Sequence, residues 1–242
     1  MAVAENIIAS KLMLNRMNLA INAQNLANMG TYGFEQTHMI TRELPVGSSD
    51  QSISFAREDG MMRDTSQGGM TLTGNKLDLT VNTSRAYMAR RTPEGEVVYT
   101  LNGTGMMNEQ RQIADDLGNV LLDTNQEPLT IPIDVSDVKI AKDGTVSSYD
   151  GRTFGQVGLF TFENVHKVRS IQNNMLTTDQ APVPIENPSF TSGALRKSNV
   201  NPILATANLI ELQKNDQMEQ HLFELKSKGD DRMRSELLKS YS

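Results

Sequence analysis

Histidine is the side chain best suited to acid–base chemistry or metal binding near neutral pH. The chain has three, His38, His166 and His221, and they are far apart in the sequence. None stands in a spacing such as H-E-x-x-H, which places two ligands on one face of a helix. The histidines therefore predict no metal site, and a structural or solvated role for His221.

Two adjacent acid pairs, Asp115-Asp116 and Asp230-Asp231, are the next candidates for chemistry. An acid–base pair needs two carboxyl groups that face the same point. Neighbouring residues on a strand point to opposite faces, and neighbours on a helix diverge. Both pairs are therefore expected to be solvated acidic turns.

The glycine-rich and nucleophile motifs of enzymes are missing. Gly103-Thr104-Gly105 continues with Met106, so it lacks the dinucleotide-binding fingerprint, and neither a P-loop nor a G-x-S-x-G elbow occurs. The absence of cysteine from the sequence excludes disulfides, thiolate zinc sites and cysteine nucleophiles. We therefore expect no enzyme, no cofactor and no metal.

Amino-acid composition argues against further classes of protein. The 242 residues carry a net charge of -6, which argues against nucleic acid as the main partner. No apolar run approaches the roughly 18 residues of a membrane span, so membrane insertion is not expected. The first residues, MAVAENIIAS, lack a basic start and a continuous apolar stretch, so a cleaved secretory signal is not expected.

A long helix is predicted from about Ala4 to Asn28, because this segment contains no Gly and no Pro. At about 100° per residue, it has two apolar stripes with an asparagine stripe between them. This arrangement favours a helix surrounded by others, and a central helix of a helical domain remains an alternative interpretation. The stripes are Ile7, Leu14, Met17 and Ile21; Ile8, Leu12, Leu19 and Leu26; and Asn15, Asn18, Asn22 and Asn25.

The middle of the chain predicts strands. Leu77, Leu79 and Val81 alternate with polar residues. Asp143-Gly144 and Asp150-Gly151 separate three alternating segments and predict a three-strand meander. Leu129 to Ile133 alternates across two prolines, which indicates an edge strand. Residues 35–68 are expected to be an extended connector between residues 1–34 and a central β domain at 69–195.

A second long helix is predicted to begin at Pro202, with Asn201 as its cap, within residues 196–242. Gly229 is expected to bend or end it. Lys214 and His221 interrupt its main apolar face. Alone, either terminal helix would be marginal in water, so we expect the two to pack on each other and on neighbouring copies. The apolar face consists of Ile203, Ala207, Ile210, Met218, Leu222 and Leu225.

Three motifs resemble the bacterial flagellar axial proteins, and in particular the proximal rod subunit that is related to the distal rod and hook proteins. An Asn-rich helix end is followed by a Thr-x-Gly-aromatic turn; Thr-Gly-Asn-x-Leu-Asp enters the β domain; and a Ser-Asn-Val-Asn-Pro segment enters the last helix. The order of the motifs along the chain matches the family. The motif residues are Thr31, Gly33 and Phe34; Thr73, Gly74, Asn75, Leu77 and Asp78; and Ser198, Asn199, Val200, Asn201 and Pro202.

The resemblance implies a mixed α and β fold, in which the long N- and C-terminal helices form a coiled-coil domain and the centre is a mostly antiparallel all-β domain. It also implies a structural subunit of the proximal rod, located in the basal body where the rod crosses the periplasm. Partners would be other copies, other rod subunits and the flagellar type III export apparatus, with no cleaved signal peptide.

Torque would then pass from motor to hook through the packed helices. The alternative is a soluble periplasmic β-domain protein that binds a ligand or acts on the cell wall and is dimerised by its helices. The predicted assembly interface consists of Ile7, Leu14, Met17, Asn18, Ile21, Asn22, Asn25, Leu26, Asn28, Ile203, Ala207, Ile210, Met218, Leu222 and Leu225.

Overall fold

The computed structural model describes residues 2–46, 53–164 and 167–240, and its chain divides into two compact units. The helical unit comprises Met1–Ala27, Thr37–Met62 and Asn201–Ser242. The β unit comprises Asn28–Gln36 and Arg63–Val200. The central part of the sequence therefore folds as a body of its own, and the two ends of the chain belong to the other.

The helical unit contains the two long helices that the sequence predicts. Helix α1 is Ala2–Ala27 and helix α2 is Pro202–Ser240. Asn201 caps α2, because its Oδ1 accepts hydrogen bonds from the backbone N–H groups of Ile203 (3.1 Å) and Leu204 (3.3 Å). Of the two effects expected of Gly229, a bend or an end of the helix, the second is wrong, since α2 continues through it. A single Gly costs a helix only about 1 kcal/mol.

Between the helices in sequence, β1 (Thr37–Val46) and β2 (Ile53–Arg63) pair as a two-stranded sheet. Apart from Arg63, these strands belong to the helical unit. The segment expected to be an extended connector thus contributes a strand pair to the same unit as the helices.

The coiled-coil part of the predicted fold class is wrong. Among the described residues there are two α-helices, and their unit also contains the β1–β2 sheet. A coiled coil needs large apolar residues facing each other every three to four positions. Here α2 contacts α1 through Asp216 and Glu219, which pair with Arg16 and Lys11. By contrast, Ile203 is 80% exposed and Met218 61% exposed. The mixed α and β class and the central antiparallel region agree with the prediction.

The β unit is built from short strands, and all of its registered strand pairs are antiparallel. Its strands in chain order are β3 (Met70–Leu72), β4 (Leu79–Val81), β5 (Tyr87–Arg91), β6 (Val97–Thr100), β7 (Met106–Met107), β8 (Ile113–Ala114), β9 (Val120–Leu121), β10 (Val138–Ile140), β11 (Thr145–Ser148), β12 (Thr153–Gln156), β13 (Leu159–Thr161), β14 (Arg169–Ser170), β15 (Leu176–Thr177), β16 (Val183–Pro184), β17 (Phe190–Ser192) and β18 (Ala194–Arg196).

The largest sheet runs in the order β14-β15-β6-β5-β9-β8-β7, with β13 joining it through β5 and β16 pairing with β13. The pairs β17-β4 and β18-β3 form two smaller sheets. The predicted meander forms as β10-β11-β12, with Gly144 at a φ of +82° in its first turn. Its third strand was expected at Gln156 to Phe162 and is instead β12, whereas β13 within that segment pairs with β5 in the largest sheet. The predicted edge strand at Leu129 to Ile133 is wrong, because this segment makes only isolated bridges such as Gln112↔Thr130.

One continuous apolar core fills the β unit. Its centre includes Tyr87, Ile113 and Phe160, each at most 2% exposed. The ring of Tyr99 meets Phe160 and Phe162 edge-on, with centroids 6.0 and 4.8 Å apart. Burial of such side chains stabilises the fold by roughly 1.5–3 kcal/mol each. The β unit therefore buries a continuous apolar core of its own.

Candidate assembly surface

Helices α1 and α2 run antiparallel and are joined by a hydrogen bond and two ion pairs. The side-chain amide of Asn15 donates to the carbonyl oxygen of Leu212 (3.1 Å). Arg16 Nε lies 3.3 Å from Asp216 Oδ1, and Lys11 Nζ lies 3.4 Å from Glu219 Oε1. Residues later in α1 thus contact residues earlier in α2, as expected for antiparallel helices. Many large apolar side chains of α2 take no part in these contacts and are exposed.

The main apolar face of α2 is exposed. At about 100° per residue this face lies opposite Ala205, which is buried, and Leu212, whose carbonyl oxygen binds Asn15 of α1. Exposed fractions along it include 48% for Ile210 and 53% for Leu225. We call this face the α2 stripe; it consists of Ile203, Ala207, Ile210, Met218, Leu222 and Leu225, with Lys214 and His221 between them.

A groove of about 360 Å³ lies between α1, α2 and β1. We call it the helix groove. Apolar side chains and amides line most of it, and it contains one buried carboxylate, that of Glu219. Its lining includes Leu14, Asn15, Asn18, Met39, Met218, Glu219 and Leu222.

The predicted interface residues of α1 are only partly exposed. Ile7, Leu14, Met17 and Leu26 are half-buried, and Ile21 is 5% exposed. The first apolar stripe of α1 is thus already partly covered by its own unit. This differs from α2, whose apolar stripe is open.

The asparagines of α1 have hydrogen-bond partners within the chain. Asn22 Nδ2 donates to both the backbone oxygen and Oδ1 of Asn18 (2.9 Å each). Asn25 is 1% exposed and holds both polar backbone atoms of Thr37: its Nδ2 donates to Thr37 O (2.8 Å) and its Oδ1 accepts from Thr37 N (2.9 Å). The amide of Asn25 therefore fixes the start of β1.

The Thr-x-Gly-aromatic motif forms a tight turn at the start of the β unit. Thr31 N donates to Asn28 O, and Thr31 Oγ1 donates to Asn28 Oδ1, both at 3.1 Å. Gly33 has a φ of +70°, and a Cβ there would collide with the backbone of Leu101. Phe34 is buried. The turn therefore requires glycine for both its conformation and its space.

Asp78 organises the Thr-Gly-Asn-x-Leu-Asp motif. Its carboxylate accepts hydrogen bonds from Thr73 Oγ1 (2.6 Å), Asn75 Nδ2 (2.9 Å) and Gly105 N (3.0 Å). Leu77 N donates to Asn75 Oδ1 (3.2 Å), and Gly74 has a φ of +75°. The motif thus closes a loop before β4, and its polar residues are used in local structure.

Asn199 carries the third motif. Its Oδ1 accepts from Gln36 N (2.7 Å), and its Nδ2 donates to Asp64 O (2.9 Å) and Ser66 O (3.2 Å). Val200 is buried, while Asn201 and Pro202 begin α2. Ser198 Oγ accepts from Val200 N (3.2 Å). One amide therefore joins three segments that are distant in the sequence.

A buried ion cluster lies beside this amide, and sequence reasoning missed it. Glu35 Oε2 is 3.4 Å from Arg63 Nη1 and accepts from Tyr87 Oη (3.4 Å), and Glu35 Oε1 is 3.5 Å from Arg196 Nη2. Arg196 also donates to Ser66 O (2.7 Å). The signal available in the sequence was an acid directly after the motif aromatic, with arginines at two later segment ends.

Burial dominates the electrostatics of this cluster. It raises the pKa of Glu35 above the ordinary value of 4.5, although Arg63 and Arg196 act in the opposite direction. Burial and the neighbouring Glu35 carboxylate raise the pKa of Tyr87 to about 12. The tyrosine therefore remains a neutral hydrogen-bond donor at physiological pH.

The candidates for chemistry do not converge. His38 lies on β1 and His221 on α2, both exposed, and His166 is outside the described residues. The buried Asp115 accepts hydrogen bonds from the backbone N–H groups of Leu117 (3.0 Å) and Asn119 (2.8 Å), so it stabilises a turn. The side chains of Asp230 and Asp231 are outside the described set.

Within residues 2–46, 53–164 and 167–240, no group of three or more His, Asp or Glu could hold a metal ion. In the same part of the chain, no helix has the length and apolar character needed to cross a membrane. The features that stand out are thus the α2 stripe and the helix groove.

Comparison with known proteins identifies the family. A model described as the flagellar hook protein FlgE/F/G D1 domain matches residues 83–148, within the β unit. The flagellar basal-body rod protein FlgF of Caulobacter vibrioides is 30% identical over 212 residues, which cover 85% of this chain and 85% of the relative. FlgG of the same organism is 30% identical and covers 69% of this chain and 70% of its own length.

A third relative, FlgF of Escherichia coli, is 27% identical over 79% of this chain and 80% of its own length. The matches extend over most of the chain, including residues outside the β unit. They confirm the resemblance that the three motifs indicate. The chain belongs to the family of flagellar basal-body rod proteins.

Proposed function

We propose that this chain is a structural subunit of the flagellar basal-body rod, which polymerises through its helical unit and transmits torque from motor to hook. The observation that carries the proposal is the α2 stripe, an exposed apolar face on a chain whose relatives are rod proteins. A rod needs head-to-tail contacts between subunits that do not close into a ring. An open apolar face on a long helix suits such contacts.

Energetics support this role for the stripe. Ile203 is 80% exposed and Met218 61% exposed, so neighbouring subunits can bury most of their surface. Complete burial of a large apolar side chain is worth roughly 1.5–3 kcal/mol. Several such residues on one helix would therefore supply a large part of the free energy of assembly, even after the cost of ordering.

The proposal includes the other predicted interface residues of α1 and α2, with different weights. Half-buried residues such as Leu14 have less surface left to bury than the stripe residues. Asn25 is already bound within its own chain and would act by fixing β1. The proposed partners are other copies, other rod subunits and the flagellar export apparatus, at the basal body.

A non-enzymatic role is part of the same proposal. The relatives are named as rod proteins, and this supports a structural task. The alternative of a periplasmic ligand-binding or wall-acting protein is not favoured by these names. The predicted domain bounds of 1–34, 35–68, 69–195 and 196–242 also remain part of this proposal.

The test compares two aspartates on α2. Ile210→Asp places a charge in the α2 stripe, and Gln213→Asp places the same charge on an exposed position outside it. We expect both proteins to be folded, with Ile210→Asp missing from isolated basal bodies and the cells non-motile, and Gln213→Asp incorporated. Normal incorporation of Ile210→Asp would contradict assembly through the α2 stripe.

A further inference from the structure

The helix groove contains a carboxylate oxygen with an unfilled hydrogen-bonding capacity. Glu219 is 8% exposed, and its Oε1 lies 3.4 Å from Lys11 Nζ. Its Oε2 is buried and has no hydrogen-bond partner among the residues that the structure describes. A buried acceptor without a donor is costly, and native structures keep few of them. We therefore expect another molecule to supply the hydrogen-bond donor for this oxygen.

The α2 stripe carries donors in an apolar setting. Lys214 is exposed between Ile210 and Met218, and His221 follows two helical turns later. Five residues separate Lys214 from Glu219, so their side chains leave the same helix about 140° apart. They cannot meet within one chain, because pairs on a helix face each other only at spacings of three or four.

We propose that the helix groove of one subunit receives the α2 stripe of a second copy of this chain, and that Lys214 of this copy donates a hydrogen bond to Glu219 Oε2. The inference rests on the proposed function, since it specifies the contact by which copies would assemble. Apolar side chains of the stripe would meet Leu14 and Met39 in the groove, and the cation would meet the carboxylate.

The two surfaces differ, so this contact is head-to-tail. Met218 and Leu222 lie where the groove and the stripe adjoin, and each copy therefore presents both surfaces side by side. A subunit whose groove is filled has Met218 and Leu222 covered, and it still offers the rest of its stripe to the next copy: Ile203, Ala207, Ile210 and Leu225. Contacts of this type propagate into open helical arrays unless the rotation closes them.

The absence of cysteine from the natural sequence permits a direct test. A chain with Lys214→Cys and Glu219→Cys is co-expressed with the unaltered chain, and isolated basal bodies are oxidised and run on a non-reducing gel. We expect a ladder of disulfide-linked multimers. The matched control, Gln213→Cys with Glu224→Cys, places two exposed cysteines outside both surfaces and should give no ladder.

Each outcome of this experiment supports or contradicts the proposed contact. Incorporation of the altered chain without disulfides overturns the proposed contact, and so does a dimer formed by Lys214→Cys alone, since that would mean stripe against stripe. If the folded double variant is missing from basal bodies and the control pair is incorporated, the proposed contact is supported, because the variant lacks both halves of it. Absence of the unaltered chain from basal bodies would instead overturn the proposed function.

A second variant separates assembly from folding. Glu219→Met keeps the length of the side chain and removes the unsatisfied oxygen, so the purified monomer should unfold at the same temperature or higher. Assembly should weaken roughly tenfold or more, as expected for loss of a hydrogen bond to a charged group. A monomer of lowered stability that still incorporates normally would show that Glu219 serves only its own fold.

Discussion

In the β unit, Tyr87, Ile113 and Phe160 are at most 2% exposed and belong to a large buried core. In the helical unit, the described residues that are buried are Ile21, Asn25, Ala205 and Glu219. Two of these four are polar. The β unit thus buries its apolar residues in its own core, whereas α2 exposes many of its apolar residues to solvent. The comparison separates the part of the chain that stabilises the monomer from the part that is available to neighbours.

The largest expected effect tests the core side of this comparison. Phe160→Ala removes a ring that packs against Tyr99, and we expect the free energy of unfolding of the β unit to fall by about 3–5 kcal/mol. Urea denaturation followed by circular dichroism would measure it. A loss below about 1 kcal/mol would mean that the β unit does not depend on this core.

The ion cluster should give the next largest effect. Arg196→Met removes one of the two arginines that pair with the buried carboxyl of Glu35, and with it the hydrogen bond to Ser66 O. We expect a loss of about 3 kcal/mol, typical of a broken buried pair.

The matched control for this variant is Arg169→Met, which removes an exposed ion pair with Asp179. Exposed pairs contribute about 0–1 kcal/mol, so its denaturation midpoint should remain close to that of the unaltered chain. Equal losses for the two variants would refute a special role for the buried cluster.

Loss of an internal amide should act on the helical unit alone. Asn25→Ala deprives the backbone N–H and C=O of Thr37 of their partners, and we expect a local cost of about 1–2 kcal/mol. Hydrogen exchange at the Thr37 amide should accelerate by roughly tenfold. Met13→Ala, at a 64% exposed position on the same helix, should leave that rate unchanged.

Acid stability offers a smaller and directional test. Because burial raises the pKa of Glu35 above 4.5, the folded chain binds an extra proton between pH 4.5 and the folded-state pKa. Its contribution to the free energy of unfolding is therefore greatest below pH 4.5 and decreases as pH rises through this window. The free energy of unfolding of the unaltered chain minus that of Glu35→Gln should decrease as pH rises through this window. An increase would mean that folding lowers the pKa of Glu35 instead of raising it.

The smallest effect is expected on the stripe. Ile210→Ala should change monomer stability by less than about 0.5 kcal/mol, because the side chain is 48% exposed. The contrast with Phe160→Ala, measured in the same urea titration, sharpens the comparison between the units. A loss of several kcal/mol would show that the stripe is covered within the monomer.

Local signals predicted much of this fold. The cap at Asn201, the long helices and the Asp143-Gly144 turn depend on a few neighbouring residues, and all three formed as expected. The α2 stripe also followed from helical periodicity. Helix periodicity could not show which face of α2 would meet α1, because polar groups make the hydrogen bonds and ion pairs between them.

The missed features depend on residues far apart in the sequence. Glu35 meets Arg196 across 161 positions, and no local pattern indicates such a pairing. Likewise, Glu219 Oε2 is recognisable as an unfilled acceptor only when its surroundings are known. The edge strand predicted at Leu129 to Ile133 was wrong since alternation alone does not supply a pairing partner.

The hydrogen bond from Asp64 N to Gln36 O, at 2.8 Å, has a consequence for the evolution of the chain. The backbone returns to the β unit within one hydrogen bond of the point where it departs. Residues 37–63 are thus inserted, in the topological sense, between two fixed neighbours. Lengthening or shortening such an excursion costs little loop-closure entropy, so we expect length differences among homologous chains to accumulate there.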